Sequence, residues 1–170
     1  MVTKLDKTAK NVVQLLQNAS LTLSTAESCT GGLISGAITS VSGSSDVFGF
    51  GVCSYANEAK MKVLGVKEET LAAHGAVSEE TAMEMAEGIR RLSGSDYGIS
   101  TTGIAGPTGG TPGKPVGTVW IGFSSREKTC AARYVFDGRM FPEEGDKRQA
   151  IRLEAVFTAL SVVEKELEKS

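Results

Sequence analysis

Twice along the chain an apolar, strand-like run passes through a turn of small or polar residues into a helical pattern. "LTLSTAES" leads through "CTGG" into "LISGAITSVSG", and "FGFGVCSYA" leads into "NEAKMKVLG". A third run, "SDYGISTTGIAGP", ends in a long glycine turn. Parallel strands need crossover connections, and helices supply them, so this alternation calls for a sheet with helices packed on it. The remaining patterns fit. "KLDKTAKNVVQLLQNAS" places Leu5, Ala9, Val12, Val13 and Leu16 at helical spacing. "SEETAMEMAEGIRRLSG" opens acidic and closes basic, as the helix dipole favours. "KPVGTVWIGFSS" and "KTCAARYVFDG" read as two strands joined by the polar turn "SREK", and a long helix follows from "DKRQAIRLEA". The expectation is a single α/β domain over 1–170: a three-layer α/β/α arrangement on a mostly parallel mixed sheet with one antiparallel member. Ligands on such sheets sit beyond the carboxyl ends of the strands. The turns there are "AESCTGG", "YANEAK" and "TTGIAGPTGG".

Composition removes several functions. A formal net charge of −2 gives no electrostatic case for nucleic acid as a partner. No apolar run approaches the roughly 20 residues that cross a bilayer, and the start has no signal-peptide segment. A single histidine excludes a multi-histidine metal site. Three cysteines, Cys29, Cys53 and Cys130, lack metal-like spacing and predict a reducing cytoplasm. Twenty glycines exceed the roughly 7% of average usage. They cluster in turns, where backbone can approach a ligand closely.

The residues offer a serine and a lysine. A lysine whose pKa is lowered by burial can take a proton from a serine hydroxyl, and glycine turns can supply donors for an oxyanion. Seven residues separate the serine turn "SGSSD" from "SYANEAK". Plain readings stand beside this. Serine-rich turns satisfy their own backbone. Lys60, near the positive end of a short helix, reads as a solvated lysine, and Tyr55 as a half-buried strand-end tyrosine. "AESCTGG" can be a helix cap, with Ser28 or Thr30 at the cap and Glu27 near the positive end, or a ligand turn of hydroxyls and N–H groups. Cys29 reads as a small buried thiol. Arg139, Lys147, Arg148 and Arg152 form a solvated face or a phosphate clamp.

Together "TAESCTGG", "GSSDVFGFGVCSYANEAKMKVLGV", "HGAVSEETAMEMA", "TGIAGPTGG" and "KPVGTVW" closely resemble the CinA C-terminal domain family, collinearly and over nearly the whole chain. The resemblance implies a three-layer fold with a five-stranded mixed sheet. It implies nicotinamide-nucleotide amidase activity, the hydrolysis of the carboxamide of nicotinamide mononucleotide to nicotinate mononucleotide and ammonia in pyridine-nucleotide recycling. It implies neither metal nor organic cofactor. Position by position, Ser45 resembles the nucleophile, Lys60 its basic partner and Tyr55 an assisting tyrosine. Ser28, Thr30, Gly31, Thr102 and Gly103 resemble substrate-binding positions, and Arg148 in "RQAIR" the phosphate contact. The segment "FDGRMFPEEGDKRQ" is longer than the family pattern, so Arg139 and Lys147 compete for that role. Partners are expected to be a small-molecule nucleotide and further copies of the chain, with no nucleic acid and no membrane. Two alternatives accompany this reading: direct attack by water with Ser45 orienting the substrate, and a non-catalytic nucleotide sensor in a competence or DNA-damage response.

Overall fold

A computed structural model describes residues 3–169; residues 1, 2 and 170 of the expected domain lie outside it. Helix α1 (Lys4–Ala19) begins with a capping box between Thr3 and Asp6 and buries Ala9, Val12, Val13 and Leu16. It is followed by β1 (Leu23–Glu27), α2 (Leu33–Thr39), a 3₁₀ turn at Ser44–Asp46, β2 (Phe48–Cys53), α3 (Asn57–Leu64), α4 (Glu68–His74) and α5 (Glu79–Ser93). Then come β3 (Tyr97–Gly103), the hairpin β4 (Thr118–Ser124) and β5 (Thr129–Val135), and α6 (Lys147–Leu167).

The five strands form one mixed sheet in the order β2-β1-β3-β4-β5. β1 pairs in parallel with both β2 and β3, whereas β3–β4 and β4–β5 are antiparallel. β4 is therefore the one strand running against the other four, as the hairpin pattern predicts. Helices α1, α2 and α6 cover one face around a core that includes Leu16, Leu23, Ile34, Ile99, Phe123 and Leu160. Helices α3, α4 and α5 cover the other, where Ala26, Leu64, Val66, Met85 and Ile89 pack. The three-layer α/β expectation holds.

Two features of this frame position the strand ends. Glu27, the last residue of β1, is fully buried. Its carboxylate accepts from the N–H groups of Gly32, Ile34 and Ser35 and from the hydroxyls of Thr30 and Ser35, at 2.7–3.0 Å. Helix α2 starts at Gly32 without a side-chain cap of its own, so Glu27 fills that place, and the dipole favours its charge there. The acceptor at the α2 amides is thus the protein's own carboxylate. On the opposite face α5 presses directly on α3: a Cβ at Gly88 would lie 2.0 Å from the Leu64 carbonyl oxygen. Only glycine permits that approach. Gly88→Ala is expected to push α3 off α5 and to lower unfolding stability by roughly 1–3 kcal/mol, read by urea denaturation.

Candidate active site

Just beyond the carboxyl ends of β1 and β2 the chain places a serine and a lysine in contact. Ser28 follows Glu27, and alternation along β1 turns its side chain to the face opposite the Glu27 carboxylate. Its N–H donates to the Thr101 carbonyl, which continues the β1–β3 ladder through it. Lys60 sits in the first turns of α3 and is 1% exposed. Its Nζ lies 3.0 Å from Ser28 Oγ, 2.8 Å from the Ser54 carbonyl oxygen and 3.0 Å from the Tyr55 carbonyl oxygen. None of these partners is charged. Burial pushes its pKa below the ordinary lysine value, and the neighbouring Cys29 opposes this only in part.

The three contacts fix a direction. A neutral amine has two N–H bonds and one lone pair. The two carbonyls only accept, so they take the N–H bonds, and the lone pair is left facing the Ser28 hydroxyl. In its neutral form a lysine held in this way has its lone pair aimed at one serine.

The turn that carries Ser28 is held from three sides. Glu27 holds it from below through Thr30, whose hydroxyl also meets that of Thr101 at 2.7 Å. Arg152 of α6 clamps it from the side: Nε donates to the Cys29 carbonyl at 3.1 Å and Nη2 to the Thr30 carbonyl at 2.8 Å, while Nη1 takes Gln149. Gly31, with φ of +60°, lies against that guanidinium, 3.2 Å from its Nη2 to where a Cβ would stand. Thr30 is fully buried, yet its N–H has no acceptor among the described residues. Ser54 Oγ is likewise buried without a partner.

The expected site residues therefore separate. Lys60 and Ser28 come together. Ser45 does not join them: it is exposed in the 3₁₀ turn before β2, whereas Lys60 binds the carbonyls just after β2. The six residues of β2 lie between, about 17 Å at roughly 3.3 Å per residue. Within one chain Ser45 cannot attack a group activated by Lys60. Tyr55 reaches Lys60 through its carbonyl only; its phenol is 66% exposed and lies 3.4 Å from Arg148 Nη2, so it relays no proton to Lys60. Thr30 and Thr102 are buried, and the Thr102 hydroxyl donates to the Ala76 carbonyl, pinning the loop before α5. Gly103 ends β3 against Val119. Among the basic residues, Arg152 is fully engaged and Arg139 turns back to Asp137 at 2.9 Å. Arg148 donates to the Gly106 carbonyl and the Tyr55 hydroxyl at the mouth of the site. The long segment before α6 is anchored by buried Glu154, which accepts from the N–H groups of Gly138 and Met140.

Glu27 near the positive helix end was one of the two readings of "AESCTGG", whereas the roles of Ser54 and Arg152 were not assigned from the sequence. Ser54 had a signal in strand alternation, which turns it to the same face as Ser28. Arg152 had one in its i,i+4 relation to Arg148. Cys29 is buried, and burial raises its thiol to about 12, so it is no nucleophile at neutral pH. Among the described residues no cluster of metal-ligating side chains occurs. No helix is long and apolar enough to cross a membrane.

Known proteins share this fold over the whole domain. A CinA superfamily protein of Klebsiella pneumoniae superposes with a TM-score of 0.90 at 34% identity, covering 99% of this chain and 100% of that one. A competence/damage inducible protein of Agrobacterium tumefaciens gives 0.88 at 38% identity, covering 98% and 96%. A Thermoanaerobacter pseudethanolicus protein named for competence and damage induction is 53% identical over 156 residues, 92% of this chain but 36% of its own length. The chain thus spans about a third of the curated relatives it matches. The pattern defining the CinA C-terminal domain matches residues 5–167, and the chain belongs to that family.

Proposed function

We infer that the chain is an amidohydrolase that converts nicotinamide mononucleotide to nicotinate mononucleotide and ammonia, with Ser28 as nucleophile and Lys60 as its base. The observation that carries this reading is the buried, carboxylate-free contact of Lys60 Nζ with Ser28 Oγ. The family resemblance supplies the substrate.

The chemistry follows from the contacts. Lys60 takes the Ser28 proton as Oγ bonds to the carboxamide carbon. The oxyanion takes the place of the missing acceptor at the Thr30 N–H. Lys60, now an ammonium held by two carbonyls, returns the proton to the amide nitrogen. The C–N bond breaks and ammonia leaves. Water, deprotonated by Lys60, attacks the acyl carbon; the Oγ–C bond breaks and Ser28 regains a proton. The nicotinate product carries a carboxylate where the amide was. Arg148 is the phosphate contact: it stands at the mouth with Tyr55, it is the better clamp for a phosphate than a lysine, and neither of its acceptors is charged. Direct attack by water would leave the Ser28–Lys60 contact without a purpose, so the serine route is preferred.

Three measurements test this. Ser28→Ala should cut the kcat for ammonia release from nicotinamide mononucleotide on the order of 10⁴-fold or more, with unfolding unchanged. Activity near that of the unaltered chain would reject Ser28 as nucleophile. Because Lys60 must be neutral to act, and its pKa is lowered, kcat/KM should rise with pH along a limb whose midpoint lies below the roughly 10.4 of a free lysine. A limb at the free-lysine value would remove Lys60 as base. Arg148→Met should raise KM for the mononucleotide roughly 10- to 100-fold, the loss of a charged hydrogen bond, and leave the riboside unaffected.

A further inference from the structure

Arg152 brings a charge to the Ser28 turn that the reaction above does not use. Its Nε donates to the Cys29 carbonyl at 3.1 Å, Nη2 to the Thr30 carbonyl at 2.8 Å and Nη1 to Gln149 Oε1 at 2.8 Å. All three acceptors are neutral, while a guanidinium is always charged. A clamp that only held the turn would need no charge. Glu27 already ties the same turn to α2, through the Thr30 hydroxyl and the amides of Gly32, Ile34 and Ser35.

The choice of carbonyl decides what the charge can do. The Cys29 carbonyl and the Thr30 N–H belong to one planar peptide group, and that group is trans. The two bonds therefore point in opposite directions. A positive charge at the oxygen draws electron density across the group and makes the N–H a stronger donor. Hydrogen bonds in series strengthen one another by roughly 10–30% each, and a charged end makes its bond about twice as strong. The Thr30 N–H is the buried amide with no acceptor among the described residues. Arg152 stands on the far side of this peptide group from it. It does not touch the reacting atoms, and it acts on them through one peptide group.

We propose that Arg152 is a positioning residue for the amide hydrolysis: its guanidinium, bound to the Cys29 carbonyl, polarises the Cys29–Thr30 peptide group and strengthens the Thr30 N–H as donor to the oxyanion. This role rests on the amidase reading. The oxyanion exists in the transition state and not in the bound substrate, so the effect falls on kcat and leaves KM alone. The two arginines of α6 thus separate kinetically, Arg148 acting on KM and Arg152 on kcat.

Arg152→Gln keeps a neutral donor and removes the charge; Arg152→Lys keeps the charge. Folding of both is checked by urea denaturation. In Arg152→Gln the kcat for ammonia release from nicotinamide mononucleotide should fall on the order of 10- to 100-fold, short of the roughly 10²–10³-fold lost with an oxyanion donor itself. KM should be unchanged. The pH limb should keep its midpoint, because burial and Cys29, not Arg152, set the Lys60 pKa. Arg152→Lys should recover part of the lost rate. An unchanged kcat, a loss confined to KM, a moved limb, or a lysine variant no faster than the glutamine variant each overturns the proposal. A second readout needs no nucleotide. A fluorophosphonate phosphonylates an activated serine hydroxyl, with fluoride leaving, and its developing phosphoryl oxyanion calls on the same donor. Labelling of Ser28, followed by peptide mass, should slow by a similar factor in Arg152→Gln. Equal labelling rates overturn the role of Arg152 and leave the amidase reading standing. A Ser28 that is not labelled in the unaltered chain rejects Ser28 as nucleophile, and this proposal with it.

Discussion

One buried carboxylate organises the end of the sheet where Ser28 and Lys60 meet. Glu27 receives five hydrogen bonds and ties the end of β1 to the first turn of α2. A buried carboxylate persists only when its lone pairs are filled, and here the donors are two hydroxyls and three amides at the start of α2 that would otherwise be orphaned. Ser28 stands on the far side of the same strand, one residue on. Its position is therefore set by a charge it does not face. This is also why the α2 N-terminus is no phosphate site: its amides are already taken.

That arrangement keeps the negative charge away from Lys60. Had alternation placed Glu27 on the α3 side, a carboxylate would stand beside the ammonium and hold it charged. Lys60 instead sees a hydroxyl and two carbonyls, and its burial favours the neutral amine. Its side chain, 1% exposed, is closed in against the ends of β1 and β2 by these contacts. Burial on one face and charge placement on the other thus produce a single chemical outcome, a lysine whose neutral form is favoured relative to a free lysine.

Much of the fold was legible because it rests on periodicity. The strand and helix runs, the hairpin at "SREK" and the single reversed strand all follow from local patterns that tertiary packing did not override. The site was legible only in part. Lys60 was singled out by motif, while its local setting, early in a short helix, argued for solvent; its contacts with the chain just beyond β1 and β2 reverse that. Ser45 was tied to Lys60 by the family resemblance, but a strand intervenes, and an extended segment is the conformation that carries near neighbours furthest apart. Ser28, thirty-two residues before Lys60, is brought to it because parallel β1 and β2 end at the same level.

The two arginines of "RQAIR" show how one helix can serve both structure and recognition. Four residues apart, Arg148 and Arg152 lie on one face of α6, one turn or about 5.4 Å apart along the axis. Arg152, the inner of the two, is level with the Ser28 turn, and two of its nitrogens saturate the Cys29 and Thr30 carbonyls. Holding those carbonyls fixes the peptide planes they belong to, including the one that bears the Thr30 N–H. Arg148, one turn out, reaches only the Gly106 carbonyl and an exposed phenol. Both partners can be given up to an incoming anion without leaving a buried charge unpaired. Identical side chains on one face thus take different roles because the helix axis sets their depth, and depth decides which guanidinium remains free to bind.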